Sequence, residues 1–447
     1  MSGPTLIIVA LASIFLLLFL VIRTKLHAFV ALLLVSLLVG IAAGMPLSGV
    51  IESIESGMGG TLGFVAVVVG LGAMFGKMLE ISGGAERLAQ TLINKFGEDK
   101  SQWALGITGF IVAIPVFFDV GFIILVPIIY GLAKKTGKSL LYYGIPLLAG
   151  LAVTHSFIPP TPGPIAVAKL IHADLGWVIL FGAIAGIPSM IIAGPIFGKY
   201  IAKKIHADIP DYQKIEEQEF DQELPSFAMI ASLIFIPLVL ILANTLSGVI
   251  LDEGNTIRSI FTFLGHPFVA LTIATLLTFY FLGVKRGYSR ESVQDIATKA
   301  LEPAGIIILV TGAGGVFKQV LIDSGVGDVI GDMMVGSALP PILLAFLITA
   351  FVRIAQGSAT VAMVTGAGLM SPLFDTLGLS GPVLGLMVIA IAAGATIASH
   401  VNDSGFWLVN RYFGLDVKDT LKSWTIMETL IALVGFAVVF ILSLFIG

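Results

Sequence analysis

Three charged residues stand within long apolar stretches: Asp119 in IPVFFDVGFIILVP, Arg353 in the run leading to GSAT (357–360), and Asp403 in SHVNDSGFW (399–407). Charge in such surroundings is costly and marks ion pathways, binding groups or proton relays. The guanidinium of Arg353 can grip a carboxylate through two parallel hydrogen bonds. It can equally pair with one of the aspartates and only hold the structure together. Asp119, flanked by Phe117, Phe118, Val120 and Phe122, is the better candidate for a desolvated carboxyl that carries a proton. Asp403 lies beside Asn402 and Ser404, which suits ligand binding better, although it too is a candidate proton carrier. His155 and His400 are further candidates for proton transfer, the alternative for each being a histidine that satisfies one hydrogen bond.

Around these charges lie hydroxyls and glycines. Ser358, Thr360 and Thr161 suit a polyhydroxylated ligand, and Gly357 and Gly163 allow close backbone approach. GSAT also fits a plain helix-packing patch. Two breaks stand out. THSFIPPTPGPIAVA (154–168) packs prolines and Gly163 into a few residues, and SHVNDSGFW sets Asn402, Asp403, Ser404 and Gly405 together. Prolines remove helical hydrogen bonds, and the exposed ends of half-helices bind ions and anionic groups. A structural kink would read the same at either break alone. Recurrence at equivalent places in two halves favours a site.

Other chemistry is absent. The chain has no Cys, no phosphate-cradling G-x-x-x-x-G-K-S/T and no nucleophile or zinc constellation, so an enzyme, an ATP-driven pump and a cofactor-dependent protein are not expected. Nothing points to nucleic acid. His27 and His266 open equivalent helices and are assigned no chemistry, and the Phe117, Phe118 and Phe122 stripe is read as packing.

The elements that position these residues follow from the solvent the chain is built for. It has 447 residues, 57% hydrophobic and 12% charged, about half the charge of a soluble domain. Its mean hydropathy is +1.04. Apolar runs at 4–22, 61–76, 176–197, 226–250 and 426–446 are long enough, or nearly so, to cross a bilayer. The first lacks a basic segment before it and a small-residue cleavage site, and is expected to be a retained helix. The net charge of −4 says little, since placement of Lys and Arg matters more.

The chain repeats itself. HAFVALLLVSLL (27–38) matches HPFVALTIATLL (266–277), and GLGAMFGKMLEISG (70–83) matches GAGGVFKQVLIDSG (312–325) at an offset of 242 residues. The same offset pairs Gly163 with Gly405 and Asp174 with Asp416. Arg23 and Lys25 precede the first HAFVAL helix, whereas Lys285, Arg286 and Arg290 follow its copy. If both clusters are cytoplasmic, the halves are inverted with five crossings each. KKTGK (134–138), Lys199, Lys203, Lys204, Arg411, Lys418 and Lys422 then also lie inside, and Glu52, Glu55, Asp252 and Glu253 outside. The expected architecture is an all-α polytopic membrane protein. Its first repeat covers 1–198, with a re-entrant hairpin at about 102–133 and a broken helix at about 140–170. A polar cytoplasmic linker covers 199–225. The second repeat covers 226–447, with a hairpin at about 339–375 and a broken helix at about 382–412. Kinked helix pairs are the alternative to the hairpins.

At these residues the chain resembles the gluconate permease family, the gluconate:H+ symporter or GntP family. The resemblance runs essentially end to end and is carried by GMGGTLGF (57–64), GAMFGKML (72–79), PPTPGP (159–164), GAGGVFKQVLIDSGV (312–326), RIAQGSATVA (353–362) and SHVNDSGFWL (399–408). It implies uptake of gluconate or a related small sugar acid with protons across the bacterial inner membrane. It also implies a homodimer in which a hairpin-containing domain moves like an elevator. Members of the family also carry other substrates, D-serine among them. Some gluconate-type members have His in the segment where this chain has Thr161. Alternatives are a carrier of glycerate or another aldonate, Na+ in place of H+ as coupling ion, and a passive channel, against which the inverted repeat with broken helices argues. The substrate-binding set expected is Thr161, Gly163, Arg353, Gly357, Ser358, Thr360, Asn402, Asp403 and Ser404. The proton-coupling set is Asp119, Asp403, His155 and His400.

Overall fold

The computed structural model describes residues 3–210, 223–325 and 339–446, and these are helical, with no strand among them. Residues 211–222 of the linker expected at 199–225 lie outside the described residues. Seven helices in the described residues are long and apolar enough to cross a membrane. Exposed apolar side chains such as Ile187, Val239 and Leu433 suit a lipid solvent rather than water.

In the first half the helices are α1 (Gly3–Ile22), α2 (Ala28–Ala42), α3 (Leu47–Ile81), α4 (Gly84–Phe96), α5 (Ser101–Val112), α6 (Phe118–Thr136), α7 (Leu140–Phe157), α8 (Pro162–Leu170), α9 (Leu175–Ile191) and α10 (Phe197–Ile201). A π-helical turn at Ile192–Ile196 joins α9 to α10, so the helix runs through Lys199 and into the segment expected to be linker. The second half holds α11 (Phe227–Ile250), α12 (Thr256–Leu264), α13 (Pro267–Thr278), α14 (Arg290–Asp323), α15 (Pro341–Gln356), α16 (Ala359–Thr376), α17 (Pro382–Thr396), α18 (Ser404–Phe413), α19 (Val417–Thr420) and α20 (Ile426–Ile446).

Several helix starts recur at the same offset in the two halves. Leu140 and Pro382 open α7 and α17, Pro162 and Ser404 open α8 and α18, and Leu175 and Val417 open α9 and α19, each pair 242 residues apart. The caps correspond as well. His27 and His266 each accept the amide of the residue two positions on, Phe29 and Phe268, at 3.3 Å through Nδ1. Asp174 accepts the amides of Gly176 and Trp177, and Asp416 accepts that of Asp419. Such caps satisfy donors that a helix start leaves unpaired. The matched histidines thus have a structural role, in keeping with the absence of assigned chemistry.

Helix pairs are interrupted at two places in each half. The first pair of helices, α5 and α6, parts at residues 113–117, and its counterpart, α15 and α16, parts at Gly357 and Ser358. The broken helices part at residues 158–161 and 397–403. α3 and α14 pack so closely that a Cβ on Gly57 would lie 2.6 Å from the Gly315 carbonyl oxygen, and one on Gly315 would lie 2.7 Å from that of Gly57. Small residues at such crossings let backbones approach where lipid supplies no hydrophobic driving force.

Aromatic packing joins the halves near the breaks. Phe122 on α6 meets Tyr412 and Phe413 of α18 edge-on, both with centroids 5.5 Å away. Contacts of this kind contribute roughly 0.5–1.5 kcal/mol each. Tyr130 donates to the Tyr412 carbonyl at 2.6 Å, and Phe118 lies 5.4 Å from Trp424. The start of α6 is thereby held over the second half's break.

Candidate functional site

The site is built from helix ends. The N-termini of α6, α16 and α18 all reach one cavity of about 580 Å³, through Phe117–Val120, Gly357–Thr360 and Asn402–Gly405. Each N-terminus presents unpaired amides and the positive end of a helix dipole. Their convergence gives the cavity a preference for anions before any side chain is counted. The C-terminal part of α7 adds Ala152, His155 and Ser156, and the head of the last helix adds Trp424 and Glu428.

Arg353 supplies the cavity's cation. It is 3% exposed, and its Nη2 donates to Asp403 Oδ2 at 2.5 Å. Its Nε and Nη1 are buried and have no hydrogen-bond partner among the described residues. Both readings of Arg353 therefore meet in one side chain: it pairs with an aspartate and retains donors for something else. Asp403 is the N-cap of α18. Its Oδ1 accepts from the Gly405 amide at 3.2 Å, and its Oδ2 also accepts from Ser399 Oγ at 2.5 Å. Ser399 Oγ in turn accepts from Trp424 Nε1 at 2.7 Å. Trp424 is placed by a π-helical turn, Leu421–Thr425, a local irregularity that recurs at functional sites.

The second break is stitched to the end of α15. His400 Nε2 and Asn402 Nδ2 both donate to the Ile354 carbonyl, at 2.9 and 3.0 Å. Gly357 makes that approach possible. Its φ is +92°, and a Cβ there would stand 2.3 Å from the Asn402 carbonyl oxygen. Ser358 caps α16 by accepting the Val361 amide at 3.4 Å.

Of the residues singled out in the sequence, Asp119, His155, Arg353, Gly357, Ser358, Thr360, Asn402, Asp403 and Ser404 line this cavity together. Three do not. Thr161 is buried in a separate crevice that shares Phe117, and its Oγ1 donates back to the Ile158 carbonyl at 2.6 Å. Gly163 lies against Met363, whose sulfur would be 2.6 Å from a Cβ there. His400 is committed to the Ile354 carbonyl. Asp119 stands on the first turn of α6 with its side chain open to the cavity. The helix breaks immediately before it, so its side chain meets the cavity instead of a helix flank. His155 has a buried Nδ1 without a partner among the described residues and sits edge-on to Phe117 at 6.4 Å.

The sequence reading missed Glu428, Trp424, Ser399 and Gln356. Glu428 carried a usable signal: it is an acid inside the apolar run 426–446, the same pattern that singled out Asp119. The others are unremarkable by type and enter only through folding. A second cavity of about 400 Å³ shares Phe117, Val120 and Pro303 with the first and is lined by Lys77, Glu80, Lys299 and Glu302. No cluster of three or more His, Asp or Glu able to hold a metal occurs among the described residues.

Comparison with known proteins gives the same architecture and a family. The fold is similar to that of the Alcanivorax borkumensis YdaH transporter, with a TM-score of 0.66 at 13% identity over 92% of this chain and 97% of that one. It is also similar to Neisseria gonorrhoeae MtrF, described as one of a class of antimetabolite efflux pumps, with a TM-score of 0.63 at 15% identity over 92% and 93% of the two chains. At these identities the likeness shows the fold alone. In sequence, the chain is 44% identical to a low-affinity gluconate transporter of Escherichia coli over 97% of both chains. It is 42% identical to a gluconate permease of Pseudomonas aeruginosa, again over 97% of both. An Escherichia coli L-idonate transporter is 43% identical over 96% of this chain and 97% of its own length. The profile of the GntP family permeases matches residues 5–445, and the chain belongs to that family of multi-pass membrane transport proteins, which are not enzymes.

Proposed function

We propose that this permease imports gluconate or a closely related small sugar acid across the bacterial inner membrane, coupled to protons. The observation that carries the reading is Arg353, buried with two guanidinium nitrogens unpartnered among the described residues, in a cavity onto which the N-termini of three helices converge. A carboxylate is the group such a set of donors recognises. Ser358 and Thr360 on the same wall suit the hydroxyls of a sugar acid. The cavity volume falls within the roughly 300–1,000 Å³ of small-molecule sites. The relatives named as gluconate and idonate transporters support the same substrate class.

In this reading the halves are inverted repeats with both termini outside and the 199–225 linker inside. The cavity lined by Lys77 and Lys299 is then the cytoplasmic vestibule of the substrate site. The assembly is a homodimer in which the two hairpins and broken helices move together past α3 and α14. Import of an anion works against an inside-negative potential by about 2.3 kcal/mol per charge per 100 mV, and one co-transported proton removes that opposition.

Counterflow in proteoliposomes, with gluconate, idonate, other aldonates, glycerate and D-serine compared with and without Na+, tests the substrate and the ion. Gluconate or idonate should exchange fastest, at a rate indifferent to Na+. Exchange of D-serine alone would end the sugar-acid reading, and a strict Na+ requirement would end the proton one.

A further inference from the structure

We propose that Glu428 binds the proton that enters with each substrate anion. The inference rests on the symport reading above and names the residue that performs it. Among the described residues, the cavity wall holds Arg353 as its one Lys or Arg and three carboxylates, Asp119, Asp403 and Glu428. A substrate carboxylate adds a further negative charge in a confined space, so one acid must become neutral when the substrate binds.

The three acids are not equivalent. Asp403 is already engaged, with both oxygens accepting hydrogen bonds from Arg353, Ser399 and the Gly405 amide. Asp119 sits on the first turn of α6, where the helix dipole acts on it, and its side chain opens into the cavity. Glu428 is 4% exposed, and no described residue hydrogen-bonds to it. The elements packed around α20 leave few other groups to share the task. α7 presents His155 and α15 presents Arg353, the 397–403 break contributes His400 and Asp403, and Asp119 lies across the cavity. α9 and α17 carry no ionisable side chain. Lys422, on the preceding turn, pairs with Asp419 at 3.3 Å.

The cycle balances. With the cavity open to the outside, a Glu428 carboxylate oxygen takes a proton from water as the substrate carboxylate occupies the free donors of Arg353. Facing inward, the substrate leaves, the O–H bond breaks and the proton passes to cytoplasmic water. The cavity holds the same net charge empty and loaded, and no electrons are transferred.

The test uses the full chain in proteoliposomes with labelled gluconate. A carrier that moves one proton with each monoanion accumulates substrate about tenfold per unit of imposed pH gradient. Glu428→Gln should keep counterflow, slowed by no more than about tenfold, while its accumulation ratio falls to about one. Glu428→Asp should restore accumulation. Wild-type protein that exchanges gluconate without accumulating it overturns both the proton coupling and this role for Glu428. Accumulation by Glu428→Gln alongside an accumulating wild type overturns Glu428 alone. Loss of counterflow in a Glu428→Gln protein that still elutes as a single folded species makes Glu428 a binding residue and also overturns the proposal.

Discussion

The two broken helices occupy equivalent places in the duplicated chain and are built from opposite materials. In the first half the break at 158–161 is closed by Ile158, Pro159, Pro160 and Thr161, all buried, and Thr161 donates back to the Ile158 carbonyl. In the second half the break at 397–403 is open and polar, held by Ser399, His400, Asn402 and Asp403. Thr161 and Asp403 are the same position, 242 residues apart, and each is the N-cap of the helix that resumes the path. At the same offset Arg353 faces Ile111 and Gly357 faces Pro115. The two sets of half-helix ends are therefore unequal, and the Arg–Asp ion pair lies in the second. The first half contributes Asp119, His155 and the N-terminus of α6 to a cavity whose ion pair belongs to the second. A single anion can then be gripped on one side while the other side provides a wall.

That asymmetry can be broken most severely at Asp403. Asp403→Asn leaves the buried Arg353 without its counter-ion, a loss of about 3–5 kcal/mol for a buried pair. We expect reduced thermal stability in detergent and transport below about 1% of wild type. Arg353→Gln should spare folding more and substrate less. Removing a charge-assisted clamp costs about 2–5 kcal/mol, so gluconate binding measured by calorimetry should weaken by at least about 30-fold. Wild-type affinity in a stable Arg353→Gln protein would reduce Arg353 to a strut for Asp403. Gly357→Ala meets both an unfavourable φ and the Asn402 carbonyl. Backbone strain of this kind costs roughly 1–3 kcal/mol, and transport should fall by roughly tenfold or more. The smallest effect is expected in the first half. Thr161→Ala removes one hydrogen bond, worth about 1 kcal/mol, from a residue outside the cavity, and should leave the affinity for gluconate within about twofold. A large affinity change there would mean that both breaks touch substrate, and the comparison would fail.

Much of this was legible in local sequence. The repeat offset predicted which elements would correspond, and the matched caps at His27 and His266 and at Asp174 and Asp416 follow it. Proline clusters, Gly357 and the run Asn402–Gly405 predicted the breaks to within a few residues, because a missing amide donor, a positive φ or a competing polar side chain interrupts a helix where it stands. Arg353 and Asp403 were both singled out, but whether they touch each other depends on two segments 50 residues apart.

By itself the sequence determined the membrane solvent, the duplicated helices, the positions of their interruptions and the charges available to an anion site. Composition and local backbone preference are properties of short segments, and each can be read where it occurs. Only the tertiary structure decided which of those charges meet. It turned Asp119 outward into the cavity, withdrew Thr161 and Gly163 into packing, and brought Glu428 and Trp424 from the last helix to the wall beside Arg353. These outcomes depend on how helix ends far apart in the chain are packed over one another, through contacts such as Phe122 on Tyr412 and Phe413. Residue type at a single position carries no record of them.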